Sequence, residues 1–248
     1  MLCAYLFSMA GYPRNLIIFD DSLFHVTWKC HNEDWLISSN FSKKLYYELL
    51  LEHKHNYSMV FFSYCFMDNH IHLTGQCKSQ ELLSNFFKVV NSRFAKAVNK
   101  FLKRKGQVIM DRFKSPTMET DEDLMSVITY NDLNPYRTIK QTHPKDYDWS
   151  SYAHYAYGKQ DPLLTDPEFY KELGNTPKAR QKKYRLITNE IIKNDHRMPK
   201  CPYRKENKLH CFIGNPLWVE KRFGELRKKA SQKRKEWQDR RKEFLNMS

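Results

Sequence analysis

Glycine is scarce in this 248-residue chain, with seven in all. There is no G-x-x-x-x-G-K-[ST] loop and no G-x-G-x-x-G turn, the two backbone devices that most often cradle a nucleotide's phosphates. No nucleotide cofactor is expected. No window approaches 18 apolar residues without a charge, so a membrane-spanning segment is not expected either. The six cysteines (Cys3, Cys30, Cys65, Cys77, Cys201 and Cys211) contain no C-x-x-C pair and no regular spacing that would staple a fold of this size. They read as reduced thiols of an intracellular protein. A zinc knot from His196, Cys201, His210 and Cys211 is conceivable, but its spacings fit no common pattern. The opening run, Met1 to Ala10, lacks the basic n-region of a signal peptide, and Met9 is an alternative start.

Acidic residues are also in short supply, and only in one place. Residues 1–175 hold 20 basic and 20 acidic side chains, while residues 176–248 hold 22 and eight, so the tail accounts for the formal charge of +14. A neutral body with a basic extension points to a polyanionic partner, because each phosphate contact releases counterions. The tail from about Thr176 is expected to supply sequence-independent phosphate contacts. A membrane surface or a solubilising tail is the plainer alternative.

Hydrophobic residues at 41% and aromatics at 15% are enough for a sizeable core. Ser22 to Lys29 is rich in aromatic and β-branched residues and reads as a strand. Trp35 to His55 has apolar residues at helical spacing, with Ser39 or Ser42 as cap. Residues 57–77 read as two strands broken at Met67-Asp68-Asn69, where Asp-Asn is turn chemistry, which places His70 and His72 on the second strand of a hairpin. A long helix follows, with Leu83, Phe86, Phe87, Val90, Phe94, Ala97, Val98 and Phe101 in one stripe. Its other faces are basic: between Leu82 and Met118 stand Lys88, Arg93, Lys96, Lys100, Lys103, Arg104, Lys105, Arg112 and Lys114 against Asp111 alone. A further helix opens at Thr120, capped with Asp123, and is ended by Pro135. Asp148 to about Leu173 reads as aromatic and loop-like, and Pro216 to Leu245 as a basic helix. Strands separated by helices, with an adjacent hairpin, indicate α+β.

In a strand, residues i and i+2 share a face, so His70 and His72 present two imidazoles side by side, a spacing suited to a metal ion. Two half-buried histidines in an ordinary strand would give the same pattern. Tyr130 and Asn134 share a helix face, and the Asn134 amide oxygen would complete a metal site beside the tyrosine hydroxyl. A core tyrosine and a helix-capping asparagine would look alike. Together the elements suggest a metal polarising a phosphodiester while a tyrosine oxygen attacks phosphorus. With an ordinary pKa of about 10, the phenol would need help in losing its proton.

Met67-Asp68-Asn69-His70-Ile71-His72-Leu73 resembles the M-P-N-H-h-H-h signature of the single-tyrosine HUH transposases, and Tyr130 with Asn134-Pro135 resembles their Y-x-x-x-N-P helix. Phe24-His25-Val26-Thr27, Gly106 through Arg112-Phe113-Lys114-Ser115, and Asp148-Trp149-Ser150-Ser151-Tyr152 add to the likeness. It points to the branch of REP-associated tyrosine transposases and spans roughly residues 13–175. The resemblance implies that His70, His72 and Asn134 bind Mg²⁺ or Mn²⁺ and that Tyr130 forms a 5′-phosphotyrosine link on single-stranded, hairpin-forming DNA. It implies a cytoplasmic, nucleoid-associated enzyme, with a monomer favoured over a homodimer. The implied fold is α+β: a ferredoxin-like antiparallel sheet with helices on one face, preceded by a leader at 1–12 and followed by a basic helical extension at 176–248. The expected DNA contacts are Lys88, Arg93, Lys96, Lys100, Lys103, Arg104, Arg112 and Lys114.

Asp68 replaces the family's usual Pro, Asn131 follows the tyrosine where Ile is common, and Ile109 stands where Trp is frequent. Asp68 would bring a negative charge close to the phosphate. Tyr136 is a rival nucleophile beyond Pro135. A protein that binds repeat hairpins with a silent site, and a hydrolase whose nucleophile is water, are the alternative functions.

Overall fold

The computed structural model describes residues 16–138, 141–194 and 211–246. His196, Cys201 and His210, three of the four residues of the conceivable zinc knot, lie outside them, as do the leader at 1–12 and Met9. Cys211, the fourth, is buried, and Cys30, Cys65 and Cys77 are buried free thiols.

β1 (Ser22–Lys29) leads into α1 (Asn40–His53), then β2 (Met59–Phe66), β3 (His70–Cys77), α2 (Gln80–Phe101) and β4 (Thr117–Met118). The strands lie in the order β2-β3-β1-β4, with every neighbouring pair among them antiparallel. This is the βαββαβ arrangement of a ferredoxin-like domain. The hairpin turns at Met67–Asn69, closed by the Met67 amide donating to the His70 carbonyl at 2.9 Å. Gly75 is required by close approach: a Cβ there would collide with the Val60 carbonyl oxygen and the Phe24 ring.

Alternation along the strands sorts their side chains onto two faces. Phe24, Val26 and Trp28 of β1 and Ile71 and Leu73 of β3 join Tyr46 and Leu50 of α1 and Phe86, Phe87, Val90 and Phe94 of α2 in the main core. The opposite face carries a helix of its own, α3 (Asp121–Asp132), which packs on β2 and β3. The sheet is therefore covered on both faces, not on one: Phe62 and Met118 meet Leu124, Val127 and Ile128 of α3 in a second core. Into it also pack α4 (Tyr152–Tyr157), α5 (Glu168–Glu172) and α6 (Pro177–Lys193), whose Tyr184 and Thr188 are buried.

The basic tail also reaches the sheet. β5 (Phe212–Ile213) pairs with β4 in parallel, so the sheet is mixed, and α7 (Pro216–Asn246) folds back to bury Leu226 against Leu16, Ile17 and Phe212. Pairing one side of β4 protects backbone groups that an edge strand would leave open.

Two further sequence expectations change. α1 begins at Asn40 rather than Trp35, because the Ser39 hydroxyl accepts from the Ser42 amide and starts the helix there, leaving Trp35 63% exposed in the preceding turn. Phe101 is half-exposed rather than core, and stacks on Phe41 with ring centroids 4.1 Å apart. It lies on the last turn of α2, past the reach of the sheet.

Candidate active site

The site forms where β1, β3 and α3 meet, on the sheet face away from α1 and α2. Its geometry begins at the start of α3. Thr120 accepts from the Asp123 amide, and the Asp123 side chain accepts from the Thr120 amide, a reciprocal cap that fixes where the helix starts. Ten residues after the cap, Tyr130 stands on the last turn, buried, facing the sheet.

β3 brings His72 to the same place. The His72 and Tyr130 rings meet edge to face with centroids 5.6 Å apart, and His70 lies 5.0 Å from His72. The three side chains that the sequence placed on two separate segments are thus neighbours. Tyr130, not Tyr136, makes the ring contacts with the histidines.

Two residues of this cluster have no site role in the sequence expectations. His25 of β1 is fully buried, its Nε2 3.1 Å from His72 Nδ1 and its ring 6.4 Å from that of Tyr130. The signal was present in the alternation of β1, where His25, Thr27 and Lys29 interleave with core-facing Phe24, Val26 and Trp28. Arg137 lies in the single 3₁₀ turn Pro135–Arg137 after the helix, its guanidinium 4.3 Å above the Tyr130 ring centroid. At this distance a cation is attracted by the negative face of the ring.

Burial controls the charge of the histidines. It pushes His70 down to about 4, helped by the positive charge of Lys29 and opposed by Asp68 and Glu33. His72 is held well below the usual histidine value by burial first, then by His25, His70 and Arg137, and His25 is pushed down to about 3 by burial, against the opposing influence of the Asn131 side chain. All three imidazoles are neutral near pH 7, so each keeps a lone pair.

The donor set fits a divalent ion in one further respect. His70 Nδ1 lies 2.7 Å from Asn69 Oδ1, an acceptor, and His72 Nδ1 faces His25. With Nδ1 carrying the proton, each ring presents Nε2 as ligand, the arrangement that outer partners impose on metal-bound histidines. Asn134 is buried, and its Nδ2 donates to the Tyr130 carbonyl at 3.0 Å, which leaves Oδ1 as the acceptor of the amide. Among the described residues, no group of three or more His, Cys, Asp and Glu side chains could hold a metal ion. A third protein ligand would therefore be an amide such as Asn134. Asp68 is less of an obstacle to phosphate than its charge suggests, since Lys43 Nζ donates to it at 2.7 Å.

The basic residues divide. Lys88, Lys96, Lys100 and Lys103 are exposed, but α2 lies across the sheet from Tyr130. Arg93 is paired with Glu52 at 2.9 Å, and Arg104 donates to Asn99 and to the Gln107 carbonyl, closing the turn after α2. Lys114, exposed, lies beside β1 in an isolated bridge with Thr27, which pairs with His72 on β3.

Residues 19–130 match the family described as IS200-like transposases. Over that span the chain is similar to IS200-like transposases. Its fold is similar to a solved structure of a REP-associated tyrosine transposase bound to a REP hairpin, with a TM-score of 0.50 and 14% identity over 64% of this chain and 93% of that one. No curated protein matches the chain. The matched region begins just before β1 and ends at Tyr130, so it takes in His25, His70, His72 and the tyrosine. Among the described residues, no helix is long and apolar enough to cross a membrane.

Proposed function

We propose that this chain is a transposase that cleaves and rejoins hairpin-forming single-stranded DNA through a 5′-phosphotyrosine at Tyr130, with Mg²⁺ or Mn²⁺ held by His70, His72 and Asn134. The observation that carries the reading is the meeting of the His72 and Tyr130 rings at 5.6 Å. A tyrosine beside two neutral, preoriented imidazoles is suited to attack on a phosphate bound there.

The divalent ion, when bound, would draw charge from the phosphate's non-bridging oxygens. Tyr130 Oη would then bond to phosphorus as the bond to the 3′-oxygen breaks. The phenol proton passes to water, and the departing 3′-oxygen takes up a proton to become a free hydroxyl. Arg137 sets a fixed positive charge against the ring on which negative charge develops. The phosphotyrosine conserves the bond's energy, so rejoining needs no nucleotide cofactor.

The test is a denaturing gel of the full-length protein with Mn²⁺ and end-labelled strands from the repeats flanking its own gene. A heat- and SDS-stable adduct that requires the metal and is missing with Tyr130→Phe supports the reading. Cleavage that survives in Tyr130→Phe would indicate a water nucleophile. A second reading, a hairpin-binding protein with a silent site, is favoured by the donor set, in which, among the described residues, no third His, Cys, Asp or Glu joins His70 and His72 in a group that could hold a metal ion. Tight hairpin binding with neither adduct nor nick would support it.

A further inference from the structure

Behind His72 a chain of buried polar side chains runs through three elements. His25 Nε2 lies 3.1 Å from His72 Nδ1, with the two rings near-parallel at 8°. On its other side lies the side chain of Asn131, the residue after Tyr130, whose polar influence holds the His25 value up against burial. Asn131 Nδ2 donates to Ser63 Oγ at 3.0 Å, and Ser63 Oγ lies 2.7 Å from Thr74 Oγ1. His25, Asn131, Ser63 and Thr74 are all fully buried. Polar groups this deep are costly unless their bonds are made in a consistent direction.

The orientation of the Asn131 amide sets the direction of the whole chain. With Nδ2 of Asn131 turned to Ser63, its Oδ1 is the acceptor left for His25, which calls for the His25 proton on Nδ1. A neutral imidazole with its proton on Nδ1 has an acceptor at Nε2. His25 Nε2 therefore accepts from His72 Nδ1–H, which leaves the lone pair of His72 on Nε2. Reversing the Asn131 amide would reverse every step and place the proton of His72 on Nε2, where it would block a metal.

We propose that Asn131 and His25 are positioning residues that set the tautomer and ring orientation of His72 so that Nε2 is ready to bind a divalent ion. The proposal rests on the reading of His70 and His72 as a metal pair and deepens it. It also gives a role to Asn131, which stands where the family resembled in the sequence commonly has Ile: an aliphatic side chain would fill the volume but offer His25 no acceptor. His70 reaches the same tautomer separately, through Asn69.

The experiment uses the metal-free full-length protein, uniformly labelled with ¹⁵N, and reads the ring-nitrogen shifts of His72, identified by their loss in His72→Gln. Mn²⁺ affinity is measured beside it by electron paramagnetic resonance. We expect the wild-type proton on Nδ1, a shift of tautomer in Asn131→Leu with Mn²⁺ binding weakened about 10- to 100-fold, and recovery of both in Asn131→Asp, which restores an acceptor. His70 should keep its tautomer throughout, which loss of fold would not allow. Should Asn131→Leu fail to fold, His25→Gln against His25→Leu decides in its place, since Gln can accept from His72 and donate to Asn131 as the imidazole does. A wild-type proton on Nε2, or an apolar variant with unchanged tautomer and affinity, overturns the proposal. Mn²⁺ binding that survives His72→Gln at full strength would instead overturn the metal reading, whatever the tautomer.

Discussion

His72 and Tyr130 approach from different elements, β3 and α3, and their rings meet with planes at 80° and centroids 5.6 Å apart. The sheet positions the imidazole and the capped helix positions the phenol, so neither depends on a long loop. Such a constellation loses little geometry between free and bound states.

Arg137 is the third part of this arrangement. Its guanidinium lies over Tyr130 and its charge reaches His72. We expect Arg137→Ala to slow adduct formation on the order of 100-fold while leaving hairpin affinity nearly intact, and Arg137→Lys to recover part of the rate. Single-turnover kinetics at saturating DNA would show it. An unchanged rate in the alanine variant would remove Arg137 from the mechanism.

Asp132 makes stability depend on pH. It is fully buried, accepts from Ser151 Oγ at 2.5 Å and from Tyr184 at 2.6 Å, and ties α3 to α6. Burial raises it to about 7, against the two hydrogen bonds and the nearby His154, which lower it. An unfolded aspartate titrates at about 3.9. Between those values the folded state holds a proton that the unfolded state has lost, so this group's contribution to stability falls as pH rises through the window. Urea unfolding from pH 4 to pH 8 should show that decline in the wild type and a shallower one in Asp132→Asn. Equal slopes would count against it.

A stability prediction comes from the main core. Trp28 Nε1 donates to Tyr46 Oη at 2.8 Å, and Tyr46 Oη donates to Asn91 Oδ1 at 2.9 Å. Tyr46→Phe would leave the indole N–H and the amide oxygen without this partner, at a cost of about 1–3 kcal/mol. Chemical denaturation measures it directly, and a loss below about 0.5 kcal/mol would mean that these groups find other partners.

The basic face of α2 is separated from Tyr130 by the sheet, which suggests a role in affinity rather than chemistry. Replacing Lys88, Lys96 and Lys100 together by alanine should weaken binding to all strands alike and lower the salt slope by about 2, with the adduct rate at saturating DNA unchanged. A fall in that rate would place α2 in the reaction path. The tail needs the same treatment by substitution, for example at Lys233, Arg234 and Lys235 of α7. Truncation at Thr176 would also remove Tyr184 and Phe212 from the packed body.

Much of the architecture could be read from the sequence where local chemistry decided it. Ser22–Lys29, the Asp68-Asn69 turn and the Thr120/Asp123 cap each carry their own instruction, and they place His70, His72 and Tyr130 on the right elements. What escaped notice depends on contacts remote in sequence. His25 belongs to a strand covered on both faces, so it does not stand out as a polar residue facing water. β5 is two residues long and joins the sheet from the far side of a long connection. Arg137 reaches Tyr130 only because the chain turns back after Pro135. Phe101 keeps the helical period of the core stripe but lies beyond the core's end.

The central claim is that Tyr130 is the nucleophile of a metal-dependent site built on His70 and His72. The most direct measurement is mass spectrometry of a proteolytic digest after incubation of the full-length protein with Mn²⁺ and a repeat hairpin. The account expects a nucleotide joined by a 5′-phosphate to the peptide containing Tyr130, lost with His70→Ala or His72→Ala. A nucleotide on the Tyr136 side chain, or an adduct on Tyr130 that forms equally well without either histidine, would contradict it.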